Sequence, residues 1–348
     1  MVEVPVRTRG DPFAGALKDF SLIKPYSAIV FKVGDLVIAE DSRGRKIEKG
    51  DAAEVINSAL EQGGKIFIKN GIYTIDSDLN ITRSGVVIEG ESRMNTILKA
   101  ATGCTKIINI DDVQYTTIRD LRLQGEGIAE HCIYADTLNA PAGEGRITLE
   151  NILAYNAQTD VIQIRNCAIT RMLFVYAHTG RNALDIRDCQ HAWIIGCDFE
   201  DATEQGVFTS NCEEIYFDDV KIADNGQEGI YISYQDKDIY MTNMRIANNG
   251  YHGVRIHSSV NGPILMDNIR IYRPSTAGAN IYDGIFNGGC SKVIARGLVI
   301  EDDQNNMRYG INDAGNYNIY DACKILGFVT AATNLTGTGT TTDNIQTS

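Results

Sequence analysis

Short stretches of alternating apolar and polar residues recur at a regular interval through the middle of the chain. The strand motif begins at residues 160, 182, 205, 228, 252 and 283, so successive starts are 22, 23, 23, 24 and 31 residues apart. Each repeat continues with a second and a third apolar strand, such as 215–219 and 220–222, before a turn rich in Asn, Asp and Gly. A period of this length without helical spacing indicates a solenoid, in which each coil buries its inward side chains against its neighbours.

Three short strands per repeat predict an all-β fold, a single-stranded right-handed parallel β-helix with three sheets. Asp51 and Glu54 resemble a capping box ahead of an amphipathic segment that Gly63 and Gly64 end, which predicts a short N-terminal capping helix. The predicted organisation is an N-terminal extension with a β-hairpin over 1–50, the capping helix over 51–63, the β-helix over 64–330, and a polar tail or terminal strand over 331–348.

Two columns of identical residue types follow the repeat. Three cysteines share one position, and a fourth falls there three coils later: Cys167, Cys189, Cys212 and Cys290. Short polar residues share the position just before the third strand: Asn151, Asp219, Asn243 and Asn268. We expect buried free thiols, because parallel side chains on adjacent coils rarely reach the disulfide dihedral, and a hydrogen-bonded ladder of turns. The absence of a Cys-x-x-Cys pair argues against zinc.

The overall charge limits the partners. A formal net charge of -13 and a pI near 4.9 argue against nucleic acid and anionic membranes, which need clustered Lys and Arg. No run of about 18 apolar residues could span a bilayer. The N-terminus lacks the layout of a signal peptide, which leaves a cytoplasmic protein, another export route or a removed leader; we expect an extracellular or cell-surface location. The tripeptide Arg9-Gly10-Asp11 resembles an integrin-binding motif, and we interpret it as coincidence.

Residues 50–61, followed by the apolar runs 64–68 and 71–75, resemble the entry segment of the pectate-lyase-like β-helix superfamily. The later repeats resemble its generic coil, so the resemblance covers about residues 50–330 and implies the same fold. The superfamily includes pectate lyases, polygalacturonases, uronan epimerases and phage tailspikes, so fold alone does not choose an activity. Thr159-Asp160, His252-Gly253 and Arg255-Ile256-His257 resemble parts of polygalacturonase motifs but do not follow their coil order, so that assignment is not adopted.

The first strand of each repeat presents three outward columns. The rim column is Asp160, Asn182, Gln205, Glu228, His252 and Asp283; the middle column is Gln163, Asp185, Phe208, Tyr231, Arg255 and Phe286; the far column is Arg165, Arg187, Ser210, Ser233, His257 and Gly288. Acids, arginines, histidines and aromatic residues converge here, as in a sugar-binding groove. We predict catalytic roles for Glu228, His252, Asp283 and Arg255, and substrate contacts from Tyr231, His257, Asp160, Asp185 and Phe208.

Several kinds of chemistry fit these columns. Neighbouring coils lie about 5 Å apart, close enough for an acid and a histidine to shift each other's pKa values. A carboxylate pair could hydrolyse a glycosidic bond, whereas Arg255 could bind a uronate carboxylate or stabilise an enolate during β-elimination. Asp185, beside Arg187 and Arg165, is better interpreted as a surface ion-pair partner. Calcium is compatible with clustered carboxylates, although no local ligand spacing requires it.

The second strand of each repeat carries a largely apolar stripe: Arg171, Trp193, Tyr216, Tyr240, Leu265 and Ile294. A stripe of this length is not expected to stay bare without a function. It could stack sugar rings, lie under the N-terminal hairpin, or join subunits of a homo-oligomer through Trp193, Tyr216, Tyr240 and Leu265.

Two classes of function therefore remain. The first is a carbohydrate-active enzyme, a polysaccharide lyase or glycoside hydrolase, that cleaves a polysaccharide, acidic or neutral, in a groove on the first sheet. The second is a non-catalytic glycan-binding or structural β-helix, resembling a tailspike or a cell-surface assembly protein. The arginine, histidine and acid on the first sheet favour the enzyme.

Overall fold

The computed structural model describes residues 25–138 and 145–347, so the Arg9-Gly10-Asp11 tripeptide lies outside the described residues. A parallel β-helix is the observed fold, as predicted. Its N-terminal end begins with an antiparallel sheet in which β1 pairs with β2 and β2 with β3. β1 also pairs in parallel with β4, the first strand of the solenoid. These strands are β1 (Ala28–Val33), β2 (Leu36–Asp41), β3 (Lys46–Gly50) and β4 (Lys65–Ile68).

The predicted capping helix, α1 (Ala52–Leu60), closes the first coil. Its inward face is fully buried at Ala53, Val55 and Ile56, so the helix covers apolar side chains that an open solenoid end would expose to water. Glu54 lies in the first turn, where a negative charge is favoured by the helix dipole. The side chain of Asp51 makes no capping hydrogen bond, however, so the predicted capping box does not form.

The first sheet contains eleven parallel strands, one from each coil. Apolar side chains point inward at alternate positions, and the same positions stack from coil to coil because the pairings from β13 to β22 are in register. The strands are β6 (Leu79–Ile81), β9 (Lys106–Asp111), β11 (His131–Asp136), β13 (Ile162–Arg165), β16 (Leu184–Arg187), β19 (Val207–Ser210), β22 (Ile230–Ile232), β25 (Val254–Ile256), β28 (Ile285–Asn287), β31 (Met307–Asp313) and β34 (Phe328–Leu335).

The second and third sheets are joined into one hydrogen-bonded surface, because β10 (Thr116–Gln124) and β12 (Arg146–Tyr155) run through the corner between them. The other second-sheet strands are β4, β7 (Val87–Gly90), β14 (Ile169–Leu173), β17 (His191–Ile195), β20 (Glu214–Asp218), β23 (Ile239–Thr242), β26 (Ile264–Asp267), β29 (Val293–Arg296), β32 (Ile319–Asp321) and β35 (Thr341–Asp343). The third sheet comprises β5 (Gly71–Ile75), β8 (Thr96–Ala100), β15 (Tyr176–His178), β18 (Asp198–Glu200), β21 (Lys221–Ala223), β24 (Arg245–Ala247), β27 (Arg270–Tyr272), β30 (Val299–Glu301), β33 (Lys324–Leu326) and β36 (Gln346–Thr347).

Both predicted ladders are present. All eight cysteines are free and buried, and the four of the ladder contact backbone carbonyls. From β10 onward, the corner between the second and third sheets contains one residue with positive φ, in most coils an Asn or Asp, which tolerate it better than most residues. Asn268 donates to Asn243 of the previous coil at 2.8 Å, so the corner side chains stabilise one another along the solenoid.

Parallel pairing continues beyond residue 330, where β34, β35 and β36 complete the last coil. The proposed division of the chain into an N-terminal extension, helix, solenoid and tail remains a prediction about domain organisation. Among the described residues, no helix has the length and apolar character needed to cross a membrane.

Candidate functional site

The middle column of the first sheet lies in line along five consecutive strand pairs. Gln163 lies opposite Asp185, and the pairing continues through Phe208, Tyr231 and Arg255. The column then reaches Phe286 on β28. The register thus brings the predicted substrate contacts of the middle column together on one face.

The sequence predicts an exposed rim column, and the structure shows that this prediction is wrong. Its side chains fold under the turn between the third and first sheets, and all of them are buried: Asp160, Asn182, Gln205, Glu228, His252 and Asp283. Burial of a polar side chain is tolerated when hydrogen bonds replace water. The rim is therefore a polar ladder inside the wall of the solenoid.

Asp283, predicted to be catalytic, is fully engaged by protein groups. Arg308 donates to both of its oxygens, at 2.9 and 2.7 Å. The backbone N–H of Tyr309 and the side-chain amide of Asn312 also donate to it, at 3.2 and 2.9 Å. A carboxylate with four donors and no exposed surface is poorly placed to attack a sugar or to exchange a proton with one.

Asp160, predicted to contact substrate, has the same kind of environment. Arg181 binds both of its oxygens, and Asn182 and Gln163 donate at 2.9 Å each. Its side chain is fully buried, so it lies beneath the surface that a ligand could reach.

Sequence reasoning missed the two arginines that neutralise these acids. Arg181 immediately precedes the rim residue Asn182, and Arg308 immediately precedes Tyr309, which lies opposite Asp283. In each case the arginine directly precedes a rim position and binds the rim acid of the preceding coil. An arginine at this position of the aligned repeats could therefore have predicted the ion pair.

Glu228 and Arg255 are brought together as predicted for neighbours on adjacent coils. Arg255 Nη1 donates to Glu228 Oε1 at 2.8 Å, and Gln205 Nε2 donates to the other carboxylate oxygen at 3.1 Å. Glu228 is only 1% exposed, whereas more than a third of the Arg255 side chain is exposed. Arg255 is therefore the member of this pair that faces solvent.

His252 is buried as a neutral imidazole. Its Nδ1 accepts a hydrogen bond from the backbone N–H of Asp283 at 3.0 Å and lies 3.7 Å from the Asp283 carboxylate. Burial lowers the pKa of His252 to about 4, although the charges of Asp283 and Glu228 act in the opposite direction. Tyr282, the residue before Asp283 on the next coil, packs its ring edge-on against the imidazole at 5.3 Å.

Asp185 pairs with Arg187, as predicted, but this is not a surface pair. Arg187 binds both carboxylate oxygens, at 2.8 and 2.7 Å, and Asp185 is fully buried. Burial raises the pKa of Asp185, although the hydrogen bonds and positive charge of Arg187 act to lower it. Its contribution to the face is to fix the orientation of Arg187.

Two partly exposed arginines of the first sheet lie over aromatic rings. Arg187 lies 4.9 Å from the ring centre of Phe208, and Arg255 lies 4.6 Å from that of Tyr231. The rings of Phe208 and Tyr231 meet edge to face at 5.6 Å. His257, in the far column, is held by Ser259 through its Nδ1 at 2.8 Å. We call the surface formed by Arg187, Phe208, Tyr231, Arg255 and His257 the first-sheet face.

The second-sheet stripe has a different arrangement. Trp193, Tyr216 and Tyr240 stack with nearly parallel rings, at centroid distances of 6.0 and 4.5 Å. The N-terminal hairpin pairs with β4 through β1. β4 lies four strands before β14, where the stripe begins, which is a distance of about 19 Å at about 4.8 Å per strand, and the hairpin lies on the far side of β4. Cover of the stripe by that hairpin, one of the alternatives expected from the sequence, is therefore wrong.

Metal ligation has no geometric support in the described part of the chain. Over residues 25–138 and 145–347, no three His, Cys, Asp or Glu side chains are grouped so that they could hold a metal ion. Four acids of the rim and middle columns are bound to arginines instead: Asp160, Asp185, Glu228 and Asp283.

Comparison with known proteins identifies the fold. The sequence profile of the family described as "Right handed beta helix region" matches residues 106–287, slightly more than half of the 348 residues. No curated protein matches the chain in sequence.

Several solved structures share the architecture at low sequence identity. The A-module of the mannuronan C-5 epimerase AlgE4 from Azotobacter vinelandii is 15% identical with a TM-score of 0.60, over 84% of this chain and 93% of that one. The enzymatically active domain of tailspike protein 2 from bacteriophage CBA120 is 12% identical with a TM-score of 0.64, over 79% and 47%. The catalytic domain of a GH87 α-1,3-glucanase in complex with nigerose is 13% identical with a TM-score of 0.51, over 86% and 64%.

Proposed function

The chain belongs to the right-handed β-helix family, and from this premise we propose that it is a carbohydrate-active protein that binds a polysaccharide along the first-sheet face. Proteins of similar structure include an enzyme named for mannuronan and a glucanase bound to nigerose. Because fold does not determine function, the proposal depends on the side chains of this chain.

The observation that carries the proposal is the row of arginines supported by aromatic rings. Bidentate pairing of Arg187 with Asp185, and stacking of Arg187 and Arg255 on Phe208 and Tyr231, restrict both side chains before any ligand binds. Groups that are already ordered lose less entropy on binding. Their remaining N–H groups can donate to sugar hydroxyls or to a uronate carboxylate, and the partly exposed rings supply apolar contact.

The same geometry favours binding over cleavage by the predicted acids. Glu228 and Asp283 come from strands two coils apart, so their backbones are separated by about 9.6 Å. Asp283 has no free oxygen, and His252 is a buried neutral base. We therefore assign Glu228, His252 and Asp283 to the support of this face and Arg255 to ligand contact, which strengthens the glycan-binding alternative.

Affinity measurements against acidic and neutral polysaccharides test the proposal. Tyr231→Ala removes the ring beneath Arg255 and should weaken binding at least about 10-fold, a change of about 1.4 kcal/mol. The matched control is Tyr216→Ala on the second sheet, which should bind like the wild type. Equal loss in both variants, or no loss in Tyr231→Ala, would place the binding surface elsewhere; no binding by the wild type to any polysaccharide would remove the proposal.

A further inference from the structure

The turn between the third and first sheets is longer in one coil than in the coils before it. It spans 273–284 between β27 and β28, whereas the two preceding turns span 224–229 and 248–253. We call residues 273–282 the rim insertion, because they lead into the rim position at Asp283. The rim insertion therefore lies at the edge of the first-sheet face, between the coils that carry Arg255 and Phe286.

Hydrogen bonds fix the rim insertion to the coils on both sides. The backbone N–H of Ser275 donates to the carbonyl of Tyr251 on the preceding coil at 2.7 Å. The backbone N–H of Arg308, on the following coil, donates to the carbonyl of Tyr282 at 2.8 Å. Within the insertion, the hydroxyl of Ser275 donates to the carbonyl of Gly278 at 2.6 Å. The side chains at the end of the insertion are therefore held in place before a ligand binds.

Two tyrosines stack where the rim insertion meets the preceding coil. The rings of Tyr251 and Tyr282 lie 4.2 Å apart with an angle of 16° between their planes, and both are partly exposed. We call these two residues the tyrosine pair. In the part of the chain that the structure describes, no third ring stacks face to face on either member, so each has one face that no other ring covers.

The tyrosine pair is specific to this part of the solenoid. Both tyrosines occupy the position directly before the rim column. Other coils carry polar residues there: Thr159, Arg181, Glu204, Gln227 and Arg308. Aromatic residues occur only in the two coils that the rim insertion joins, so the insertion and the exposed rings form one local feature.

A continuous series of rings joins the tyrosine pair to the first-sheet face. Tyr282 meets His252 edge to face at 5.3 Å, and His252 stacks on Phe286 at 4.9 Å. Phe286 lies beside Arg255 in the middle column. The tyrosine pair nevertheless lies to the side of that column, beyond the rim. A ligand that lies along the column therefore reaches the pair only with a group that projects from its own axis.

We propose that the tyrosine pair binds a branch sugar of a polysaccharide whose main chain lies on the first-sheet face. The uncovered face of a tyrosine ring suits the apolar face of a sugar ring, and its phenolic hydroxyl can exchange hydrogen bonds with the sugar hydroxyls. The ligand is thereby specified as a branched polysaccharide, and Tyr282 is the residue that determines the preference for the branch. This inference rests on the proposed function of the first-sheet face.

Calorimetric titration of the full chain with matched branched and unbranched polysaccharides tests the subsite. The branched probes are galactomannan, arabinoxylan and glucuronoxylan, and the unbranched probes are mannan and xylan. The wild type should bind at least one branched probe about 10-fold more tightly than its unbranched counterpart. Tyr282→Ala should abolish this preference and leave the affinity for the unbranched chain unchanged. That unchanged affinity also shows that the variant is folded.

Two further variants separate the ring from other causes. Tyr282→Phe keeps the ring without the hydroxyl and should retain most of the preference for the branched probe. Tyr272→Ala is the matched control, because Tyr272 lies on the third sheet just before the rim insertion and its hydroxyl bonds to Asp303 at 2.9 Å. This variant should bind both forms of the polysaccharide like the wild type.

The outcomes distinguish this inference from the proposed function. A preference that survives in Tyr282→Ala, or equal binding of both forms by the wild type, overturns the branch subsite and leaves the first-sheet proposal standing. Equal loss of both forms in Tyr282→Ala also overturns it, because the tyrosine would then have only a structural role. Loss of the preference in Tyr282→Ala, with unbranched binding that survives in Tyr231→Ala, supports the subsite and contradicts the proposed first-sheet face. Binding of no probe by the wild type overturns both.

Discussion

The first and second sheets present similar residue types to solvent but arrange them differently. On the second sheet the rings of Trp193, Tyr216 and Tyr240 lie face to face, within 3 to 5° of parallel, so each ring hides the faces of its neighbours. On the first sheet, Phe208 and Tyr231 meet edge to face and carry arginines. Sugar rings stack on aromatic faces, so the second-sheet stripe offers little to a glycan although it is the more aromatic of the two.

The two sheets also differ beneath the surface. The rim of the first sheet contains buried acids that are neutralised by arginines, whereas the acids of the second sheet include the exposed Asp267. Arginines held by buried acids are fixed in direction, so the first sheet is the more rigid polar surface. The spatial arrangement of the side chains, more than their composition, therefore distinguishes a recognition surface from a packing surface.

The largest expected effect comes from breaking the rim. Asp283→Ala leaves Arg308 and Asn312 without their acceptor and should reduce the free energy of unfolding by about 3 to 5 kcal/mol. Urea denaturation of Asp267→Ala, from the exposed part of the second sheet, should show a change of no more than about 0.5 kcal/mol. Equal effects of the two substitutions would mean that the rim pairs do not stabilise the first sheet.

A second effect concerns the pH dependence of stability. The folded-state pKa of His252, about 4, lies below its ordinary value of 6.5. The neutral imidazole therefore stabilises the folded protein fully above pH 6.5, and this contribution to the free energy of unfolding is lost as the pH falls toward 4. His252→Gln keeps an acceptor for the N–H of Asp283 without the titration. Between pH 7 and pH 4, the wild type should lose about 2 to 3 kcal/mol more than this variant. Parallel stability curves for the two proteins would contradict a buried neutral imidazole.

A smaller effect tests the second-sheet stripe as a contact between copies of the chain, which we propose in place of hairpin cover. Trp193→Ala should lower the sedimentation coefficient of an associated protein and cost about 1 kcal/mol of stability through lost ring stacking. Phe208→Ala, on the first sheet, is the control and should leave sedimentation unchanged. A wild type that sediments as a monomer at high concentration would exclude this role.

The repeat could be predicted because its signal is local. Inward β-branched residues recur once per coil, and register then fixes which outward residues align, as the column from Gln163 to Phe286 shows. Burial at the rim could not be predicted in the same way. Whether Asp283 is exposed depends on Arg308, which lies 25 residues ahead and folds back over it from the next coil.

The outward residues Asp198 and Glu200 of β18, on the third sheet, show a second limit. Asp198 and Glu200 alternate with the buried Phe199, a pattern that reads as an ordinary solvent-exposed strand face. Their environments differ because of Lys221 on the next coil and Tyr176 on the previous one. Such differences depend on distances across strands, which spacing along the chain does not determine.

Hydroxyl-radical footprinting with a bound polysaccharide tests the central claim most directly, because it reports the solvent exposure of individual aromatic and histidine side chains on both sheets. We predict that Phe208, Tyr231 and His257 become protected while Trp193, Tyr216 and Tyr240 keep their labelling. Protection confined to the second-sheet residues would contradict the assignment of glycan binding to the first-sheet face.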